Sequence, residues 1–152
     1  MDRVEKCIDV NVPVSTAYNQ FTQFEDFPNF MEGVEQVTQI DDKRTHWKVE
    51  IAGHAREFDS EITEQVPDRV IAWRSTDPPF NAGRAVFEPL DANRCRVTLQ
   101  MEYEPEGMVE KAGSSLGLVG NRAEGDLKRF KTFIESRGRE TGAWRGEIHA
   151  RD

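Results

Sequence analysis

A few polar side chains share the phase of an otherwise apolar strand face, and they are the residues of this sequence best placed to do chemistry. Arg56, Ser60 and Ser75 alternate in step with aromatic and aliphatic residues, and Tyr103 ends the last predicted strand. A guanidinium enclosed by apolar side chains needs a polar partner, because an unpaired interior charge is costly. We therefore expect Arg56 to bind a carboxylate, phenolate or carbonyl group of a ligand. The alternative is an edge arginine that pairs with a neighbouring acid and reaches water.

General acid–base catalysis requires a carboxylate or histidine with a perturbed pKa inside the cleft. The acidic residues of the predicted strands have the opposite phase and therefore lie on the solvent-exposed face: Glu57, Asp59, Glu61, Glu88 and Glu102. A β-bulge would reverse the phase over part of a strand. In an enzyme, Arg56 would stabilise a developing enolate and Tyr103 would relay protons, so these two are the candidate catalytic residues.

Metal and cofactor sites are not indicated by the sequence. His46, His54 and His149 are scattered, and no spacing among them suggests a zinc site. No nucleophile elbow, phosphate-binding loop or glycine-rich dinucleotide fingerprint occurs. We therefore expect no metal and no cofactor. His46 is out of phase with Trp47, and we expect it to be solvated.

The elements that position these residues follow from hydrophobic periodicity. Apolar residues alternate with polar ones along seven segments, which predicts an antiparallel sheet with one wet face. The first strand precedes two short helical segments, and six more strands follow up to Tyr103. A long helix is predicted from near Glu106 to Gly138, where the glycine ends it. Glycines at 113, 117 and 120 indicate either close packing on the sheet or a pliable half that admits a ligand.

A helix that packs across a curved sheet usually leaves a cavity between the two. Strand alternation predicts which side chains face that cavity. The aromatic members of this set are core residues by default, a role that is compatible with lining a cavity. The expected ligand-binding residues are Trp47, Arg56, Phe58, Trp73, Phe87, Met101, Tyr103, Leu116 and Gly120.

Composition narrows the class of protein. The chain has 152 residues, which predicts one domain at 1–138 and a polar C-terminal tail at 139–152. A formal net charge of −8 argues against general DNA or RNA binding. No apolar run reaches the roughly 20 residues that span a bilayer, and the first residues lack the apolar core of a signal peptide. Cys7 and Cys95 fall in predicted strands, and we expect them to be reduced, buried thiols, with a disulfide as the alternative. The expected location is the cytoplasm.

Several segments resemble one known family. Ile8 to Tyr18, followed by Phe24 to Met31, resembles the opening of the polyketide cyclase/dehydrase and lipid-transport family, which includes coenzyme Q-binding proteins and a ribosome-associated toxin. The resemblance spans roughly Val4 to Arg137. It implies an α+β, START-like (helix-grip) fold, with a curved antiparallel sheet of about seven strands around a long C-terminal helix. Further matching pieces are Glu61-Ile62 before Pro67, Ile71-Ala72-Trp73, and Gly83 with Phe87-Glu88-Pro89-Leu90.

The resemblance leads to three hypotheses. The first is an intracellular protein that binds a small hydrophobic or aromatic metabolite (a lipid, a quinone or a polyketide-like molecule) between sheet and helix. The second is an aromatase/cyclase-type enzyme, which an ionisable pair inside the pocket would favour. The third is an interaction protein that uses the basic helix end, Lys128, Arg129 and Lys131, to contact a membrane or a ribosome weakly, with a solvated helix face as the alternative. Trp144 and Arg145 in the tail are either part of that binding surface or part of a disordered terminus.

Overall fold

A computed structural model describes residues 2–51, 53–77, 80–103 and 115–149. The seven strands of the described residues belong to one antiparallel sheet in the order β1-β7-β6-β5-β4-β3-β2. The elements are β1 (Asp2–Val10), α1 (Val14–Phe21), a 3₁₀ helix (Phe24–Asn29), β2 (Val34–Gln39), β3 (Arg44–Ile51), β4 (His54–Val66), β5 (Val70–Ser75), β6 (Asn81–Asp91), β7 (Arg94–Tyr103) and α2 (Ser115–Arg137). The predicted α+β helix-grip fold is confirmed.

The long helix ends where the sequence predicts. Gly138 takes a φ of +76°, and its N–H donates to the carbonyl of Ile134 at 2.9 Å. A residue with a side chain is strained in that left-handed conformation, so glycine at this position gives the helix a defined end. The predicted helix start near Glu106 lies outside the described residues.

The face of the sheet that the helices cover, here called the concave face, is packed with aromatic rings at one end. Phe21 of α1 lies 4.5 Å from Phe130 of α2 and 5.4 Å from Phe87 of β6, between ring centroids. Phe27 and Phe30 join the same cluster. All five rings are almost fully buried. Because α1 and α2 each carry an apolar stripe, both helices pack on the same half of the sheet.

The chain after Gly138 packs onto the domain as far as the described residues extend. The N–H of Thr141 donates to Gln20 Oε1 at 2.9 Å, and that of Trp144 donates to Thr22 Oγ1 at 3.1 Å. Ile148 is 7% exposed, and it exchanges both backbone hydrogen bonds with Gln65 at the edge of β4. The predicted boundary between a domain at 1–138 and a tail at 139–152 stays a prediction.

Asp126 attaches α2 to the segment that links the 3₁₀ helix to β2. Its carboxylate accepts the N–H of Glu32 at 2.9 Å and pairs with Arg129, whose Nε donates to the carbonyl of Phe30 at 3.1 Å. Burial raises the pKa of Asp126 to about 6, against the opposing effects of Arg129 and of the Glu32 N–H. This contact therefore depends on pH in the mildly acidic range.

Asp126→Asn should remove that pH dependence. The pKa of Asp126 in the folded chain lies above its ordinary value of 3.8. Its contribution to stability is therefore complete at lower pH and is lost as the pH rises through about 6. We expect the free energy of unfolding of the wild type, relative to the variant, to fall by up to roughly 3 kcal/mol between about pH 4 and pH 7.

Urea unfolding at a series of pH values measures this difference. Glu88→Gln, which changes an exposed carboxylate on β6, is the matched control and should keep the wild-type profile. A profile of Asp126→Asn that runs parallel to the wild type would show that Asp126 is ionised at the same pH in the folded and unfolded chains.

Candidate functional site

The concave face carries the predicted aromatic residues in adjacent rows. Trp47 of β3 stacks on Phe58 of β4 with ring centroids 6.2 Å apart and planes 8° apart. The indole Nε1 of Trp47 donates to Thr45 Oγ1 at 2.8 Å, which fixes the ring. Both rings are 6% exposed. The stacked pair covers the β3–β4 half of the sheet, where Phe27 also contacts Trp47 at a centroid distance of 5.7 Å.

Trp73 lies across the neighbouring strand, and Gly83 makes room for it. The two residues are partners in the β5–β6 register. A Cβ atom built on Gly83 would lie 2.3 Å from the indole Cζ2 of Trp73, far inside van der Waals contact. Glycine at 83 therefore allows the indole to contact the backbone of β6 closely. Met101 of β7, the next partner in the register, is half-buried.

A row of buried polar side chains crosses this apolar surface. Thr45, Ser60 and Ser75 are cross-strand neighbours on β3, β4 and β5, and Asn81 follows on β6. All four are at most 6% exposed. The Asn81 N–H donates to Ser75 Oγ at 2.9 Å, and Ser60 Oγ donates to the carbonyl of Arg74 at 3.1 Å. The hydroxyls of Thr45 and Ser75 accept hydrogen bonds, but no described residue accepts their own protons.

Arg56 lies beyond this row on the same face of β4, opposite Val49, and is half-buried. Its Nη1 donates to the carbonyl of Ala55 at 3.1 Å. No carboxylate of the described residues forms an ion pair with it, so the neighbouring acid of the alternative interpretation is not found there. The guanidinium retains free donors for a further partner.

Phe87 takes part in the closed, aromatic end of the face, because its ring meets Tyr18 at 5.4 Å. Among the other predicted site residues, Tyr103 is part of β7, where its backbone is paired with Asp2 and Asn81. The side chains of Tyr103, Leu116 and Gly120 lie outside the described part of the chain. The predicted roles of the site residues stay predictions.

A β-bulge in β4 changes which residues face inward. The register of β4 and β5 shifts between Ile62 and Glu64, so Thr63 has no partner on β5. Gln65 then opposes Ile71 on the concave face and is 1% exposed, whereas Glu64 pairs with an arginine on the outer face. Simple alternation would place Glu64 inside, and it therefore misses Gln65. Alternation did not identify Thr45 or Asn81 for another reason. On β3 and β6 the alternating pattern was recognised only from the next inward residue, which lies two positions later in each strand.

The outer, convex face carries the acidic residues, as the strand phase predicts. His46 also lies there, between Asp59 (Nδ1 to Oδ1, 2.6 Å) and Glu57 (Nε2 to Oε1, 2.9 Å). The hydrogen bonds to Asp59 and then to Glu57 raise the pKa of His46. The prediction of a merely solvated histidine therefore missed its two carboxylate partners. A cleft of about 530 Å³ also opens on this face, beside Ile148 and His149.

Comparison with known proteins identifies the family. A family model described as "Polyketide cyclase / dehydrase and lipid transport" matches residues 10–132, which is most of the chain. This chain belongs to the polyketide cyclase/dehydrase and lipid-transport family. The resemblance carried by Ile8 to Tyr18 and by Phe24 to Met31 is thereby confirmed.

One relative and two solved structures match this chain along nearly their whole length. An uncharacterised 17.2 kDa protein of Streptomyces lincolnensis is 50% identical over 149 residues, covering 97% of this chain and 99% of the relative. The Zhui aromatase/cyclase of Streptomyces sp. R1128 superposes with a TM-score of 0.76 at 19% identity, over 94% of this chain and 99% of that one. A START superfamily protein of Mycobacterium smegmatis superposes with a TM-score of 0.63 at 19% identity, over 84% and 97%. These two structures show the fold alone.

The three basic residues near the end of α2 already form ion pairs within the domain. Lys128 pairs with Glu124, Arg129 with Asp126, and Lys131 with Glu135. Lys131 also donates to a carbonyl of β1. The other two line an open groove of about 580 Å³ on the outer side of α2. A weak contact of these three residues with a membrane or a ribosome stays a prediction. Among the described helices, none is long and apolar enough to cross a bilayer.

Gly83→Ala should disrupt the packing of the concave face, because the new methyl group would collide with the indole of Trp73. We expect the free energy of unfolding to fall by roughly 1–3 kcal/mol, the usual cost of overpacking, together with a change in near-ultraviolet circular dichroism. Gly125→Ala is the matched control, since its Cβ would meet only the terminal atoms of Arg129 at 3.1 Å. Equal losses in the two variants would contradict the contact.

Proposed function

We propose that the protein binds a small hydrophobic or aromatic molecule, such as a lipid, a quinone or a polyketide-like metabolite, between the concave face and α2. The observation that carries the proposal is the polar row of Thr45, Ser60, Ser75 and Asn81, buried within an aromatic surface. Two of its hydroxyls have protons that no described residue accepts. Each of these two hydroxyls already accepts one hydrogen bond, and an oxygen atom of a bound molecule would accept the proton that remains.

The surroundings of that row suit a flat ligand. Trp47 and Phe58 stack on each other on one side, and Trp73 packs closely against β6 on the other. Sites for small molecules are typically apolar and aromatic with a few placed polar groups. Met101, Tyr103, Leu116, Gly120 and Phe87 complete the proposed ligand-binding set from β7, α2 and β6.

Arg56 would select the polar end of the ligand. It is half-buried on the same face and has no carboxylate partner among the described residues. A guanidinium binds a carboxylate, phenolate or carbonyl oxygen through two parallel N–H donors. An apolar body with one oxygenated end therefore fits the proposed site better than a plain hydrocarbon.

Binding is favoured over acid–base catalysis by the positions of the carboxylates. The carboxylates of the central strands lie on the convex face: Glu57, Asp59, Glu61, Glu64, Glu88 and Glu102. The buried carboxylate of the described residues, Asp126, contacts the segment before β2 and not the polar row. General acid–base chemistry would need such a group beside the ligand.

Native mass spectrometry of the protein purified from its own cells tests the proposal directly. A stoichiometric, extractable apolar molecule with at least one oxygen atom is the expected result. If that molecule proves to be a reactive polyketone, incubation with the purified protein shows whether it is cyclised. Protein that remains empty after gentle purification, and that binds none of the quinone probes described next, would overturn the proposal.

Arg56→Met should weaken the binding of an acidic quinone. With 2-hydroxy-1,4-naphthoquinone as the probe, we expect about a tenfold rise in Kd, since a hydrogen bond to a charged group stabilises by roughly 1.5–3 kcal/mol. The quenching of tryptophan fluorescence measures the Kd. Uncharged 1,4-naphthoquinone should lose less affinity, because it makes no charge pair with the guanidinium.

Arg74→Met is the matched control for this substitution. Arg74 lies one strand away on the convex face and is exposed, so its loss should leave both Kd values unchanged. Equal Kd values for the wild type and Arg56→Met with the acidic quinone would remove Arg56 from the site while leaving the binding function in place.

A further inference from the structure

Three side chains near the closed end of the concave face have buried polar atoms without a hydrogen-bond partner. These atoms are Tyr18 Oη, both amide atoms of Gln65, and Asp68 Oδ1. Tyr18 is 0% exposed and Gln65 is 1% exposed. Within the described residues, no other buried side-chain nitrogen or oxygen atom lacks a partner. Buried polar groups are nearly always paired, so four unpaired atoms in one place require a cause.

Arg145 joins these residues into one cluster. Its guanidinium lies 5.5 Å from the centre of the Tyr18 ring, and its Nη2 lies 2.9 Å from Asp68 Oδ2. Gln65 is held from the other side, because its backbone exchanges hydrogen bonds of 2.6 and 2.8 Å with Ile148. The chain after Gly138 therefore covers the cluster from outside.

The protonation state of Tyr18 fits a role as a donor. Burial raises the pKa of the Tyr18 phenol, and the nearby Gln65 amide only partly opposes that rise. The phenol is thus a hydrogen-bond donor at neutral pH. The Gln65 amide is near the phenol but is not in hydrogen-bonding geometry with it.

The unpaired atoms are balanced between donors and acceptors. Tyr18 Oη and Gln65 Nε2 donate, whereas Gln65 Oε1 and Asp68 Oδ1 accept. An anion would be repelled by Asp68, and Arg145 disfavours a cation. A neutral oxygen that both donates and accepts, as in a hydroxyl group or water, matches the set.

We propose that Tyr18, Gln65 and Asp68 form an internal binding site for a hydroxyl oxygen, which is supplied either by an enclosed water molecule or by a hydroxyl group of the ligand. The second source rests on the proposed function, and the position of Gln65 allows it. The bulge turns Gln65 to the concave face opposite Ile71, in the row next to that of Trp73. A ligand lying on Trp73 would thus have the Gln65 amide at one end.

The sign of a stability change tests whether the site is occupied. Tyr18→Phe removes only the hydroxyl group. If that hydroxyl binds an oxygen, the variant should unfold more easily, with about a tenfold rise in the unfolding equilibrium constant at neutral pH. If the hydroxyl is unpaired, its removal should make the protein more stable, and the proposal is overturned.

Two further variants sharpen this test. Gln65→Met keeps the length of the side chain and the backbone pairing with Ile148, and it should also destabilise. If the two residues share one oxygen, the double variant should lose less than the sum of the two single losses; strict additivity would overturn the shared site.

Matched probes then distinguish the two sources of the oxygen. 1-Naphthol and naphthalene differ by one hydroxyl group, and their Kd values are measured in the wild type and in Tyr18→Phe. Preference for 1-naphthol that is lost in Tyr18→Phe assigns the oxygen to the ligand. Preference that is the same in both proteins assigns it to water. If neither probe binds, the proposed function fails for this class of molecule, and the unfolding measurements still decide whether the site exists.

Discussion

The packing of Phe21 against Phe130 is the contact on which the rest of this structure depends. It joins the short helix after β1 to the long C-terminal helix at a centroid distance of 4.5 Å, with Phe30 and Phe87 completing the cluster. Each aromatic pair of this kind contributes roughly 0.5–1.5 kcal/mol beyond the burial of its area. Because the cluster fills one end of the concave face, the proposed site lies beside it, toward Trp73 and the polar row.

The two halves of the concave face are chemically different for a physical reason. In the aromatic half, the inward positions are filled mainly by phenylalanine rings, which need no hydrogen bonds. In the other half, cross-strand register brings Thr45, Ser60 and Ser75 into one row, and register is a property of the whole sheet rather than of any one strand. A small error in strand pairing would scatter these hydroxyls, so the specificity of the proposed site depends on the same pairing that stabilises the sheet.

Strand periodicity was sufficient to predict much of the fold and part of the site. Trp47, Phe58 and Trp73 lie on regular strands, where alternation identifies the inward face without knowledge of the neighbours. Gln65 could not be predicted in this way, because the bulge that turns it inward depends on how β4 and β5 pair around the turn at Asp68, where φ is +64°. The packing of Trp144 could not be predicted either, since its hydrogen-bond partner, Thr22, follows α1 and lies more than a hundred residues earlier in the chain.

The pairing of Ile148 with Gln65 also has a consequence for how the chain folds. β4 extends past the end of β3, and the backbone of Ile148 occupies the edge that would otherwise be open. Unpaired strand edges are common starting points for association between chains. During synthesis, this edge stays uncovered until almost the last described residue has been made, long after the sheet has been translated. The newly made protein is therefore most vulnerable to pairing with a second chain in the interval between translation of β7 and arrival of Ile148.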